Sequence, residues 1–158
     1  MGLFDTIIIE QPIMQTGFHP ETGLIETYDA VERLGIDPTD CQTKDLENMM
    51  TTFVVKDDRL YRRIPHFVET EEVDKFRTRL FNKTTYVQEL THHTYEDQEF
   101  HGDISFVAKK KNEDDWRYMI PCIIRFTEGK VVWLKIDEAE QARRLELRAR
   151  LDAANKKQ

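Results

Sequence analysis

Three of the five histidines of this 158-residue chain fall in one short stretch, Thr91-His92-His93-Thr94-Tyr95-Glu96-Asp97-Gln98-Glu99-Phe100-His101, beside three acids. Imidazole and carboxylate together are the ligand set of Zn²⁺ and related divalent ions, and imidazole exchanges protons near neutral pH. His92, His93, Glu96, Asp97, Glu99 and His101 are therefore the candidate metal ligands. On a strand, His92 and His93 point to opposite faces and do not share one ion easily. His93 and His101 could converge across a strand pair if the chain turns near residues 96–99. The plainer alternative is a polar turn between two strands with exposed side chains. No other chemistry competes: the chain holds no Gly-rich phosphate loop and no GxSxG, HExxH or CxxC motif. Cys41 and Cys122 stand far apart without an adjacent base. The catalytic residues, if the chain is an enzyme, are not named by any motif, and no cofactor is expected.

The elements that must position these residues are sheet-rich. Residues 3–10 read as a strand buried on both faces, because Phe4, Ile7, Ile8 and Ile9 form a near-continuous apolar run. Pro12, Gly17, Pro20 and Gly23 punctuate residues 11–23 as loop, with a turn at "HPETG". Residues 24–34 read as a short helix or an irregular excursion ended by Gly35 and Pro38. Strands follow near residues 50–55 and 60–64 around the polar turn 56–59, with Pro65 ending the second. Residues 69–81 carry Val73, Phe76 and Leu80 at helical spacing. Four further strands are expected at 84–96, 104–110, 116–126 and 131–136, joined by short connections that favour antiparallel neighbours. Residues 137–157 predict a helix. Asp137 is its N-cap, Glu140 completes a capping box, and acids lead while bases trail. Its apolar residues form two lines, Ala142/Leu145/Ala149 and Leu147/Leu151/Ala154. One line could rest on the sheet and the other on a second chain. The expected architecture is α+β: a mainly antiparallel meander over residues 1–137, with a charged, projecting helix over 138–158.

Composition bounds the partners. Hydrophobic residues make up 39% and charged residues 34% of the chain, which implies a thin core. Two cysteines without CxxC spacing fit a reducing compartment. No signal peptide and no membrane-spanning run is read, so the expected location is the cytoplasm. Residues 1–100 hold 20 acids and 10 Lys/Arg, whereas residues 101–158 hold 10 acids and 13 Lys/Arg. The acidic body disfavours general nucleic-acid binding, since phosphates meet repulsion.

Four stretches look familiar together: "MGLFDT" (1–6), "QTKDL" (42–46), "HGDISFVA" (101–108) and "RFTEGKVV" (125–132). In this order they resemble small uncharacterised proteins encoded by bacteriophages and prophages, which commonly open with Met-Gly-Met-Phe-Asp. Many of those carry a Cys-Pro-x-Cys knuckle after the first strand. Here the matching residues are Gln11-Pro12-Ile13-Met14, so both thiols and any metal role there are missing. The resemblance implies a phage accessory protein in a bacterial cytoplasm and carries over no functional residue. The resulting expectation is non-catalytic binding of a host or phage protein. Leu145, Leu147, Leu151, Arg144 and Arg148 are the candidate interaction residues, and a homo-oligomer through the terminal helix is included. The alternatives are a metal-dependent or nucleotide-directed enzyme built on residues 92–101, and a small-molecule module that binds a nucleotide signal.

Overall fold

The computed structural model describes residues 3–72 and 85–156. The chain divides into two units, residues 1–62 with 97–158, and residues 63–96.

The larger unit is built on a ring of strands. β1 (Asp5–Ile9) lies between β4 (Ile36–Thr43) and β5 (Thr52–Lys56); β4 is followed in space by β8 (Gly102–Lys110), β9 (Ile120–Thr127) and β10 (Lys130–Ile136). The far side of β5 meets the start of β6 (Arg59–Glu72), and β6 pairs back to β10 at Lys130↔Arg59. Val131 N–H also donates to Asp58 O, 2.8 Å away. Closing a sheet on itself removes the unpaired edges that an open sheet exposes.

The fold is α+β as expected, and β8, β9 and β10 form the expected antiparallel meander. The sheet as a whole is mixed. β1 runs parallel to β5 in the register Thr6↔Thr52 to Ile9↔Val55, and antiparallel to β4. A pure meander places each strand beside its sequence neighbour. Here the long excursion from Glu10 to Thr51 returns the chain to the far side of β1.

Alternation explains the core. On β1, Asp5, Ile7 and Ile9 are buried while Thr6 and Ile8 are half-buried, which corrects the expectation of burial on both faces. β8 buries Ile104, Phe106 and Ala108; β9 buries Cys122, Ile124 and Phe126. Cys41, Phe53, Val55, Leu60 and Leu134 join them from the other strands. Each buried aliphatic or aromatic side chain contributes roughly 1.5–3 kcal/mol.

Part of the stretch expected to be loop, β2 (Met14–Phe18), pairs with β3 (Ile25–Asp29), the start of the stretch expected to be a short helix or irregular excursion, in a separate two-stranded sheet. The expected "HPETG" turn is present. His19 N–H bonds to Leu24 O at 2.8 Å, and Gly23 supplies a φ of 71°. Asp29 ends β3 and caps α1 (Ala30–Leu34): its carboxylate accepts from Val31 N–H and from Ile13 N–H, each at 3.0 Å. Gly35 closes α1 in the left-handed region, φ 66°. The expected strand at 116–126 is a 3₁₀ turn at Trp116–Tyr118 followed by β9, with Pro121 one residue past the last β9–β10 pair. The second helix, α2 (Glu138–Lys156), starts where expected, and Glu140 N–H donates to the Asp137 carboxylate at 3.1 Å.

Among the described residues the smaller unit holds the rest of β6 and most of β7 (Thr85–Asp97). Pro65 does not end β6, which continues to Glu72. A proline is tolerated where its missing N–H is not needed for pairing, as at a strand edge. Residues 69–72 are therefore strand, and the rest of the helix expected at 69–81 lies outside the described residues.

Candidate functional site

The His/acid stretch is divided between the two units. His92, His93 and Glu96 belong to the smaller unit, whereas Asp97, Glu99 and His101 belong to the larger one. Among the described residues no group of three or more His, Cys, Asp or Glu side chains is arranged to hold a metal ion. Each member has a local position instead. Asp97 forms an ion pair with Arg59, and that bond holds its carboxyl below the usual range. It also accepts Glu99 N–H at 2.9 Å, which fixes the turn in which Glu99 takes a φ of 46°. His101 Nδ1 accepts Glu128 N–H at 3.0 Å, beside the β9–β10 turn. His93 neighbours His92 on β7, where successive side chains face opposite ways.

His92 has a partner that the sequence reading missed. Its ring stacks on His66 with centroids 4.7 Å apart and planes 8° from parallel. His66 Nε2 hydrogen-bonds Thr94 Oγ1 at 2.7 Å, and Thr91 Oγ1 donates to His66 O at 3.0 Å. The contacts place His66, His92 and Thr94 on one face of the ribbon. Alternation adds Ile64 and Val68 from β6 and Leu90 and Tyr86 from β7 to that face. Val68 is 47%, Leu90 51% and Tyr86 60% exposed, so the apolar face is open. No spacing along the chain pairs residue 66 with residue 92; only the strand register does so.

The five helix residues divide by chemistry. Leu145, Leu147 and Leu151 are all at least half exposed, and α2 buries no residue. Both apolar lines face solvent, so neither rests on the sheet. The half-buried positions are Glu140, Gln141, Arg144 and Arg148, a polar side. Arg144 bonds Glu140 at 3.1 Å, and Arg148 donates to Arg117 O at 2.7 Å while lying over the Tyr118 ring. Bonds from Arg143 and then Arg144 hold the Glu140 carboxyl down at about 2. Arg148 thus ties the helix to the 3₁₀ turn, and Arg144 pairs within the helix.

The four familiar stretches meet in the larger unit as structural ties. Asp5 accepts N–H bonds from Asn48, Met49 and Thr51 at 2.6, 3.0 and 2.9 Å. Thr43 Oγ1 donates to Ser105 O at 2.7 Å, and the Asp45 carboxylate accepts Ser105 N–H at 2.7 Å. Asp103 pairs with Arg125 at 3.2 Å, and Gly129 N–H reaches Phe100 O at 3.0 Å. Comparison with known proteins finds no family model that matches the chain, and no matching curated protein or solved structure. No helix among the described residues is long and apolar enough to cross a membrane.

The cysteines are core residues. Both are free thiols, and burial pushes Cys122 up to about 12 and Cys41 higher still. The native protein is therefore expected to resist a thiol reagent at pH 8 for as long as it stays folded, with both thiols reacting once denatured. Rapid native labelling would show an opened core. The raised values also fix a sign. Unfolded thiols ionise near pH 8.5–9 while the native ones stay neutral, so this contribution to stability is complete below that range and falls as pH rises towards about 12.

Proposed function

We propose that this chain acts by binding another protein without catalysis, as a phage accessory protein directed at a host or phage protein in the bacterial cytoplasm. The single observation that carries the reading is the open apolar face of the 63–96 ribbon, where Val68, Tyr86 and Leu90 flank the His66–His92 stack. Among the described residues of this unit Val68, Tyr86 and Leu90 stay exposed, and a strand edge can add a further strand. Such a surface gains most from a partner that covers the face and pairs with an edge. Residues 63–96 hold six acids and five Lys or Arg, so charge is nearly balanced and the apolar face is what a partner would cover.

The test is Val68→Asp/Leu90→Asp. Cross-strand pairs contribute only about 0.2–1 kcal/mol, so the fold is expected to persist. A photo-crosslinking residue at Tyr86 is expected to give one discrete adduct in infected cells, and the double substitution to reduce its yield at least tenfold. An adduct pattern identical to that from Val132, on the larger unit, would remove the reading.

A further inference from the structure

We propose that the outer face of the β2–β3 hairpin is a docking surface for α2 of a second copy of this chain. Register places Phe18 opposite Ile25 and Thr16 opposite Thr27. Alternation puts Met14, Phe18 and Ile25 on one face with the threonine pair between them. Phe18 is 70%, Ile25 68% and the adjoining Leu24 69% exposed. The opposite face is occupied: Gln15 Nε2 donates to Tyr28 Oη at 2.8 Å, and Gly17 lies close against the Tyr28 ring. Leucine and phenylalanine side chains this exposed on so short a hairpin leave a two-residue-wide apolar strip without cover.

The same chain carries a matching surface. Leu147, Leu151 and Ala154 follow i, i+4, i+7 and make a single exposed ridge on α2. The charges are opposite. Residues 14–29 hold Glu21, Glu26 and Asp29 and no Lys or Arg; Arg33, paired with Glu26, still leaves a negative excess. Across Glu138–Lys156 the helix holds five bases against four acids, a net charge of +1, with Arg143 and Arg144 paired to Glu140 and Arg150 to Glu146. A weakly basic helix thus faces an acidic apolar strip. The chain's own helix does not fill the role, because Arg148 and Asp137 anchor it while the hairpin stays exposed. A second copy supplies both surfaces, so a two-fold pair makes the contact twice. That doubling matters, since one helix on one hairpin falls short of the roughly 800 Å² per partner of a stable interface.

Sedimentation velocity across a concentration series decides the proposal, with wild type expected to dimerise more weakly as salt rises. Phe18→Glu/Ile25→Glu and Leu147→Glu/Leu151→Glu are each expected to raise the dimer dissociation constant at least tenfold while far-UV circular dichroism and the melting temperature hold. Mixed together, the two variants regain only one of the two contacts, so a heterodimer weaker than the wild-type dimer and tighter than either variant alone is expected. Glu21→Arg is expected to weaken association further at low salt. A wild type that is monomeric at every concentration overturns the proposal. So does a hairpin variant that dimerises normally while the helix variant does not, which would place helix against helix. Val68→Asp/Leu90→Asp should leave the dimer intact, so failure here is distinguishable from failure of the ribbon reading.

Discussion

Asp5→Ala is expected to lower the unfolding free energy by about 3–5 kcal/mol. The Asp5 side chain is completely buried, and its carboxylate accepts three backbone N–H groups from the loop before β5. A buried carboxylate is costly to desolvate, and only such donors offset the cost. Removing it strands three donors together, at roughly 1–3 kcal/mol for each that water cannot reach. The loop also holds Asn48 and Met50 at positive φ, 57° and 60°, a conformation that non-glycine residues keep only under constraint. Released from Asp5, the loop is expected to relax. Asp5→Asn keeps the shape and one acceptor oxygen, so about half the loss is expected. Urea unfolding with an unchanged slope measures both losses. Faster amide exchange at Asn48, Met49 and Thr51 would locate the effect. An alanine variant as stable as wild type would remove the carboxylate's structural role.

Phe126→Ala carries a comparable penalty of about 3–5 kcal/mol, for a different reason. Phe126 is completely buried, sits opposite Gly102 on β8 and Val131 on β10, and meets the Phe100 ring edge-to-face at 5.8 Å. Truncation empties a site that pairing on both sides keeps from collapsing, and the aromatic pair adds about 0.5–1.5 kcal/mol. Phe18→Ala makes the control: a ring 70% exposed is expected to change stability by less than about 0.5 kcal/mol. Urea midpoints of the two variants should therefore separate clearly. Equal losses would mean that the β9 ring does not sit in the core.

Local pattern accounts for what was legible before the fold was known. Ile104, Phe106 and Ala108 alternate with Ser105 and Val107, so β8 follows from residues two apart. Asp137 and Glu140 mark the start of α2 because a cap acts within one turn. The turn at Asp57 and Asp58 and the turn at Glu128 and Gly129 follow from short polar runs between strands. The C-terminal meander needed only these short connections.

Other features depend on partners far along the chain. β4 carries Pro38 and little alternation, yet it forms a strand because β1 and β8 flank it on both sides. Gln15 and Tyr28 make a hairpin of a stretch whose Gly and Pro content reads as loop, since their side chains bond across it. The His/acid stretch read as one ligand set, but Arg59 claims Asp97, Glu128 N–H claims His101, and His66 claims His92. The amino-acid order by itself determined where strands alternate, where turns break them and where the last helix begins, because those rest on steric and hydrogen-bond preferences of residues within about four positions. Only the tertiary structure decided that β1 runs parallel to β5, that the ring closes at Lys130 and Arg59, and that Asp5 ties down the loop before β5. Many strands share the same alternating pattern, and the choice among them is made by which pairing buries the most side chains and leaves the fewest backbone groups unpaired.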